Sequence, residues 1–158
     1  MTGETNLEQL LATMAPCLGS EEYVFSTMPG HYGDHAALNP LASFQEAEGL
    51  TLVVTKSVAE QEGFPIQTTF RPITLTVHSS LQAVGLTAAV STVLAAHGIS
   101  ANVIAAFYHD HIFVPTQQAE KALEALQELG SKHRALLHSL GQSSSHSSVN
   151  PSEKGNTQ

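Results

Sequence analysis

The chain has no tryptophan, a single cysteine, and only 6 lysines and arginines against 14 aspartates and glutamates in 158 residues. Each scarcity excludes something. Cys17 permits no internal disulfide and lacks a CxxC partner, so it reads as a small apolar residue rather than a redox or zinc centre. A formal net charge of −8 leaves no clustered basic footprint, and nucleic acid is not expected as a partner. No apolar run approaches the roughly 18 residues of a membrane span. The opening MTGETNLEQLL has neither the basic start nor the apolar core of a signal peptide, so a cytoplasmic protein with no membrane attachment is expected. Nucleophile elbows, phosphate loops and redox motifs are missing too, which points away from an enzyme and from any cofactor.

What is present is enough apolar sequence, 42% by composition, to bury a core in one ordinary domain or two small ones. Leu7, Leu10, Leu11 and Met14 recur at helical spacing, predicting a short amphipathic helix over 6–14. Tyr23–Met28 reads as a strand, PGHYGDHAALNP as an exposed loop, Ser43–Glu48 and LTLVVT (Leu50–Thr55) as strands, and Ser57–Gln61 as a short helix stopped by Gly63 and Pro65. A long extended segment covers Gln67–His78. The clearest helix is Leu86–His97, with Gly98 as its stop. Strands are expected over Asn102–Tyr108 and Ile112–Val114, then a helix over Gln117–Leu129 that Ser131–Leu140 extends weakly. From Gly141 onward a single aliphatic residue, Val149, stands among Ser, Asn, Gly and Pro, so 141–158 is expected to be a disordered tail.

In order, the second half runs strand, helix, strand, strand, helix, most of a ferredoxin-like βαββαβ unit. The first half repeats that cycle without its first strand. The expected fold is therefore α+β: two ferredoxin-like α/β sandwiches, antiparallel sheets with helices on one face, divided as 1–69 and 70–140.

The stretch ITLTVHSSLQAVGLTAAVSTVLAAHGISANVIAAFYHDHIFVP (Ile73–Pro115) resembles an ACT domain, a ligand-sensing module found on many amino-acid biosynthetic enzymes. The resemblance lies in the loop with Val84-Gly85-Leu86, the helix ending HGIS, Asn102 opening a strand, and the ending DHIFVP. With EGLTLVVT (Glu48–Thr55) ahead of it, the chain from about Leu7 to Leu129 is similar to small bacterial proteins of two ACT-like halves without an enzyme domain. The first half departs from the pattern, having no glycine loop between a strand and a long helix. By itself the loop Ser79–Thr87 admits two accounts. Gly85 and the amide end of the following helix can receive a carboxylate, or Gly85 can serve only the turn while Ser80 or Thr87 caps the helix. What the resemblance implies is an effector site built from Ser80, Val84, Gly85, Leu86, Thr87, Asn102 and Asp110, with Asp110 meeting an ammonium.

His109, Asp110 and His111 fall between two apolar strand runs and are expected to form a hairpin connection at the mouth of the ligand groove. There Asp110 would face the site, while a histidine near its ordinary pKa of about 6.5 would make affinity respond to pH between about 6 and 7.5. A hairpin tip also favours aspartate for purely local hydrogen bonds. The weaker alternative is a metal held by His109 and His111, with His31 and His35 from HYGDH as further candidates. The function expected is a non-catalytic sensor of a small molecule, an amino acid foremost. A ligand-free ACT-type interaction or oligomerisation module is the alternative, and in either case exposed sheet edges favour a homo-oligomer.

Overall fold

The computed structural model describes residues 6–77 and 84–144. Ser80 of the glycine loop, His78 at the end of the expected extended segment, and the tail from 145 onward lie outside them.

Asn6 caps the first helix, α1 (Leu7–Thr13), its Oδ1 accepting from the Gln9 N–H at 3.0 Å. Strands β1 (Pro16–Leu18) and β2 (Tyr23–Met28) follow. The expected loop after β2 holds one helical turn, α2 (Tyr32–His35), and a 3-10 turn over Ala36–Leu38. Asp34 explains the helical turn: its Oδ2 accepts from the His31 N–H at 2.9 Å. Then come β3 (Ala42–Gln45), β4 (Leu50–Thr55), α3 (Lys56–Glu62), β5 (Phe70–Leu75), α4 (Leu86–Ala96), β6 (Asn102–Ala105), β7 (Asp110–Pro115) and α5 (Ala119–Ser144).

All strand pairs are antiparallel and join into one seven-stranded sheet, in the order β3-β4-β2-β5-β7-β6 with β1 also on β5. The two expected sheets are thus fused. The seam is narrow, because β2 meets β5 only where Tyr23 pairs with Phe70. Between the pairs Leu18 with Ile73 and Tyr23 with Phe70, one chain advances five residues and the other three (23 − 18 and 73 − 70). The two extra residues bulge out, anchored by the Gly19 N–H on Pro72 O (2.8 Å) and by Arg71 Nε on Gly19 O (2.9 Å).

This bent strand explains how each half completes its sheet. The second half carries β5, α4, β6, β7 and α5 in chain order, and its fourth strand is β1, contributed from the N-terminus. Helix α1 follows β1 across: Leu11 and Met14 are buried in one core with Ile73, Leu75, Val90, Leu94, Ile112, Val114, Ala122 and Leu126. The first half has its own small core of Val24, Leu50, Leu52, Val54 and Ala59. Where the second half has the 11 residues of α4, the first has only the short turns after β2.

Strand periodicity sorts the sheet's two faces. Val24, Val54, Ile73, Ile112 and Val114 face the helices. Opposite them Tyr23, Phe25, Phe70 and Phe113 form a cluster of edge-to-face rings, with centroids 5.3 to 6.1 Å apart. Phe113 is 2% exposed although no helix covers it, so the neighbouring rings shield it.

Helix α5 corrects two expectations. It runs unbroken through Gly130 and on to Ser144, past the predicted weak extension and into the first residues of the predicted tail. Gly130 fits because α1 ends against it: a Cβ there would lie 3.4 Å from Leu11 O. Beyond it, Arg134 Nη1 donates to Ala12 O (3.1 Å) and His133 Nδ1 lies 2.7 Å from Glu8 Oε2, so α1 holds this part of α5.

Candidate ligand site beneath the first turn of α4

Gly85 is the N-cap of α4, with φ +102°, a conformation side-chain-bearing residues rarely adopt. Gly85 has no side chain with which to cap the helix, and the first turn of α4 carries no acidic residue. Thr87 is exposed rather than folded back as a cap, and Val84 is 82% exposed. The amide end of α4 carries a positive partial charge.

Asp110 lies directly below. It is the first residue of β7, pairs with Leu75 and Ala105, and is 8% exposed. It lines a narrow, closed crevice with Leu75, Leu86, Thr87, Val90, Val103 and Ile112. Of the residues implied by the resemblance, Leu86, Thr87 and Asp110 thus line one crevice, and Val84 and Gly85 precede them in the chain. The crevice is closed in this conformation, too tight to admit a water molecule. A ligand engaging Asp110 has to lift the first turn of α4 or keep most of its body outside.

Asn102 is not gathered with them. It starts β6, pairs with Phe113, and so lies on the helix-free face toward the other end of the strand.

The polar triplet is not the hairpin connection. The turn comes earlier, over Ala106–His109, closed by the Ala106 N–H on His109 O at 3.1 Å, with the exposed Phe107 and Tyr108 at its tip. Asp110 and His111 belong to β7 and point to opposite faces. The apolar-to-polar change that predicted the turn marks instead a strand end with a carboxylate turned inward. On the helix-free face Thr74 Oγ1 lies 2.9 Å from His111 Nδ1, and His109 Nδ1 lies 3.3 Å from Val77 O. Burial, then the neighbouring His109, lowers the His111 pKa below 6.5, against a smaller opposing pull from Asp110. For His111 the expected pH window therefore moves to the acid side.

His31 and His35 are engaged locally, the first 3.3 Å from Gln45 Oε1 and the second 2.8 Å from Pro29 O. Among the described residues no three His, Cys, Asp or Glu side chains come together to hold an ion.

Two larger openings escaped the sequence. A groove of about 490 Å³ runs between the halves, lined by Lys56, Ile66–Thr69 and Pro115–Gln118. Beside it Glu22 accepts from Thr69 Oγ1 (2.8 Å) and Lys56 Nζ (3.3 Å), and these bonds, the Thr69 one foremost, hold its carboxyl below the usual range. The second opening is a cleft of about 440 Å³ between β2 and the chain entering β5. Both arise where distant segments diverge, and no local residue pattern marks such a place.

Two ferredoxin-like α/β units fused through one antiparallel sheet, with a glycine turn above a buried acid, define the architecture. The chain belongs to the ACT-domain family: ACT-domain profiles match residues 2–71 and 67–128 in tandem. It is 54% identical to a Vibrio cholerae protein of unknown function described as a possible transport protein, over 78% of this chain and 95% of that one, with a TM-score of 0.73. The ligand-free regulatory subunit of aspartate kinase from Thermus thermophilus shares the fold at 13% identity and TM-score 0.57, over 75% of this chain and 97% of that one. Escherichia coli aspartokinase III, solved with aspartate and ADP, shares it at 11% identity and TM-score 0.52, over 73% of this chain and 33% of that one. No curated protein matches the chain.

Proposed function

We propose that this protein is a regulatory sensor that binds a small molecule, an amino acid foremost, and performs no catalysis of its own. The observation carrying this reading is the placement of the Asp110 carboxylate beneath the first turn of α4. A zwitterion needs an acceptor for its ammonium and donors for its carboxylate, and these two features offer both. Ser80 is assigned to the same site through the loop it shares with Gly85. The units follow the division 1–69 and 70–140, with α1 and β1 contributed to the second. Family membership supports the regulatory role, and the aspartate kinase neighbours support the fold. We further infer a cytoplasmic homodimer. Strands β3 and β6 end the sheet, and on β3 Phe44 is 68% exposed, an arrangement suited to pairing with a second copy.

A thermal-shift screen of the twenty amino acids tests the ligand. At about 100 times its dissociation constant a true effector adds roughly 2.7 kcal/mol of apparent stability. No shift with any of the twenty would remove the amino-acid reading and leave the ligand-free interaction module.

A further inference from the structure

An antiparallel sheet with one face in water ordinarily alternates apolar and polar residues and keeps the polar ones outward. The face of this sheet that the helices leave bare breaks that rule at its centre. By register Tyr23, Phe25 and Val53 share it with Phe70 and Phe113, while the strand neighbours Val24, Val54 and Ile112 lie in the helix-side cores. Phe25 is 37% exposed, and Phe44, which pairs with Thr51 on the same face, is 68% exposed. Toward its margins the face turns polar without becoming charged, through Thr27, Thr51, Thr74, Asn102 and His111. No Asp, Glu, Lys or Arg stands at any strand position on this side, in a chain whose formal net charge is −8.

An aromatic, uncharged centre inside a polar rim is the anatomy of a protein–protein interface, where Tyr and Phe are enriched and Asp, Glu and Lys depleted. Charge decides between partners. Two copies carrying −8 each repel one another except across surfaces that hold no charge, and this face is such a surface. A basic partner, drawn to the acidic remainder of the molecule, would find no carboxylate here to pair with. Size agrees: two or three residues from each of the six strands in the row β3-β4-β2-β5-β7-β6, with the turns bordering them, approach the roughly 20 residues a side of a standard interface. The aromatic cluster lies in the middle of that row, on β2, β5 and β7, so a twofold axis through it sets the cluster on its mate.

We propose that the helix-free face is the interface between two copies of this chain, packed sheet on sheet about a twofold axis, with Phe25, Phe44 and Phe70 against the partner copy. This rests on the homodimer inferred above and gives that dimer its surface. Side chains of the two faces interdigitate, while the outward backbone groups of the β3 edge stay open to solvent.

Sedimentation equilibrium of the full chain reads the dimer constant, and the wild type should associate reversibly. Phe25→Glu, at the centre, should weaken association about thirtyfold or more, as for a buried aromatic anchor. Because Phe25 also packs on Phe70 and Phe113, Phe44→Glu is the companion variant: being 68% exposed, it should weaken association with little change in melting temperature. Leu136→Glu, 53% exposed on α5, adds the same charge elsewhere and should leave the constant unchanged. Outward amides of residues 42–45 should exchange alike in monomer and dimer. A wild-type dimer that tolerates both phenylalanine substitutions, or whose β3 amides become protected on association, would keep the homodimer and overturn the face. A strictly monomeric wild type would remove the homodimer itself and leave the face to a partner of another kind.

Discussion

Leu7 Cδ2 occupies the place a side chain on Gly85 would take: a Cβ built there comes within 2.8 Å of it. The turn opening α4 is thus tied to the first residue of α1, and the glycine is required both by its φ of +102° and by this approach. Gly85→Ala is expected to destabilise the fold by about 1 to 3 kcal/mol, the range for a residue forced into a sparsely populated backbone region. Urea unfolding of Gly85→Ala alone and with Leu7→Ala separates the two causes. The double variant should recover the steric part and keep the conformational part; full additivity of the two losses would show that Leu7 does not constrain the turn.

Met14 is 1% exposed and lies with Leu11 in the core built with α4, α5 and their strands. Met14→Ala should therefore cost about 2 to 5 kcal/mol. The loss should appear as faster hydrogen exchange in α5 and β7 rather than in α3 and β4. Exchange increasing first in the segment 50–62 would contradict the contribution of α1 to the second half.

The sequence made the element types legible wherever one segment carried its own periodicity. Leu7 to Met14, Leu50 to Thr55 and Leu86 to His97 each form the expected helix or strand, because an amphipathic stripe or a β-branched run acts locally. Three features were not legible. That β1 completes the second half depends on pairing between residues as far apart as Leu18 and Ile73, which no local pattern encodes. Helix α5 continues through Gly130 because α1 ends against that glycine, a tertiary cause overriding propensity. That Asp110 opens a strand was hidden because a polar triplet between apolar runs looks the same in a turn and in a strand beginning with a buried acid. Of the candidate site, Gly85 was legible through its backbone requirement and Asp110 through its residue type, while Asn102 was drawn in by resemblance and stands elsewhere.

His111 gives a pH signature. Its pKa is lowered in the folded protein, first by burial and then by His109, so the native state favours the neutral ring. Its contribution to stability is then full above the unfolded value of about 6.5 and is lost as the pH falls below it, because the unfolded chain binds the proton more readily. Unfolding free energy measured across this range should decline toward acid, and His111→Gln should flatten that part of the curve. An NMR titration placing the His111 pKa above 6.5 would reverse the sign and refute the account.

Asp110→Asn tests the proposed amino-acid site most directly. The substitution keeps the size of the side chain beneath Leu86 and Thr87 and removes its charge, so an ammonium held there loses a charge-assisted hydrogen bond, worth about 1.5 to 3 kcal/mol. Calorimetry with an amino acid that raises the melting temperature of the wild type should find affinity weakened by that amount. The crevice is narrow, so binding has to displace the first turn of α4. Amide exchange at 86–90 should accordingly change on adding ligand to the wild type and not to Asp110→Asn. Equal affinities for the two proteins would mean that the ammonium is met elsewhere, and the groove beside Glu22, whose carboxyl is held ionised by Thr69 and Lys56, would be the next place to look.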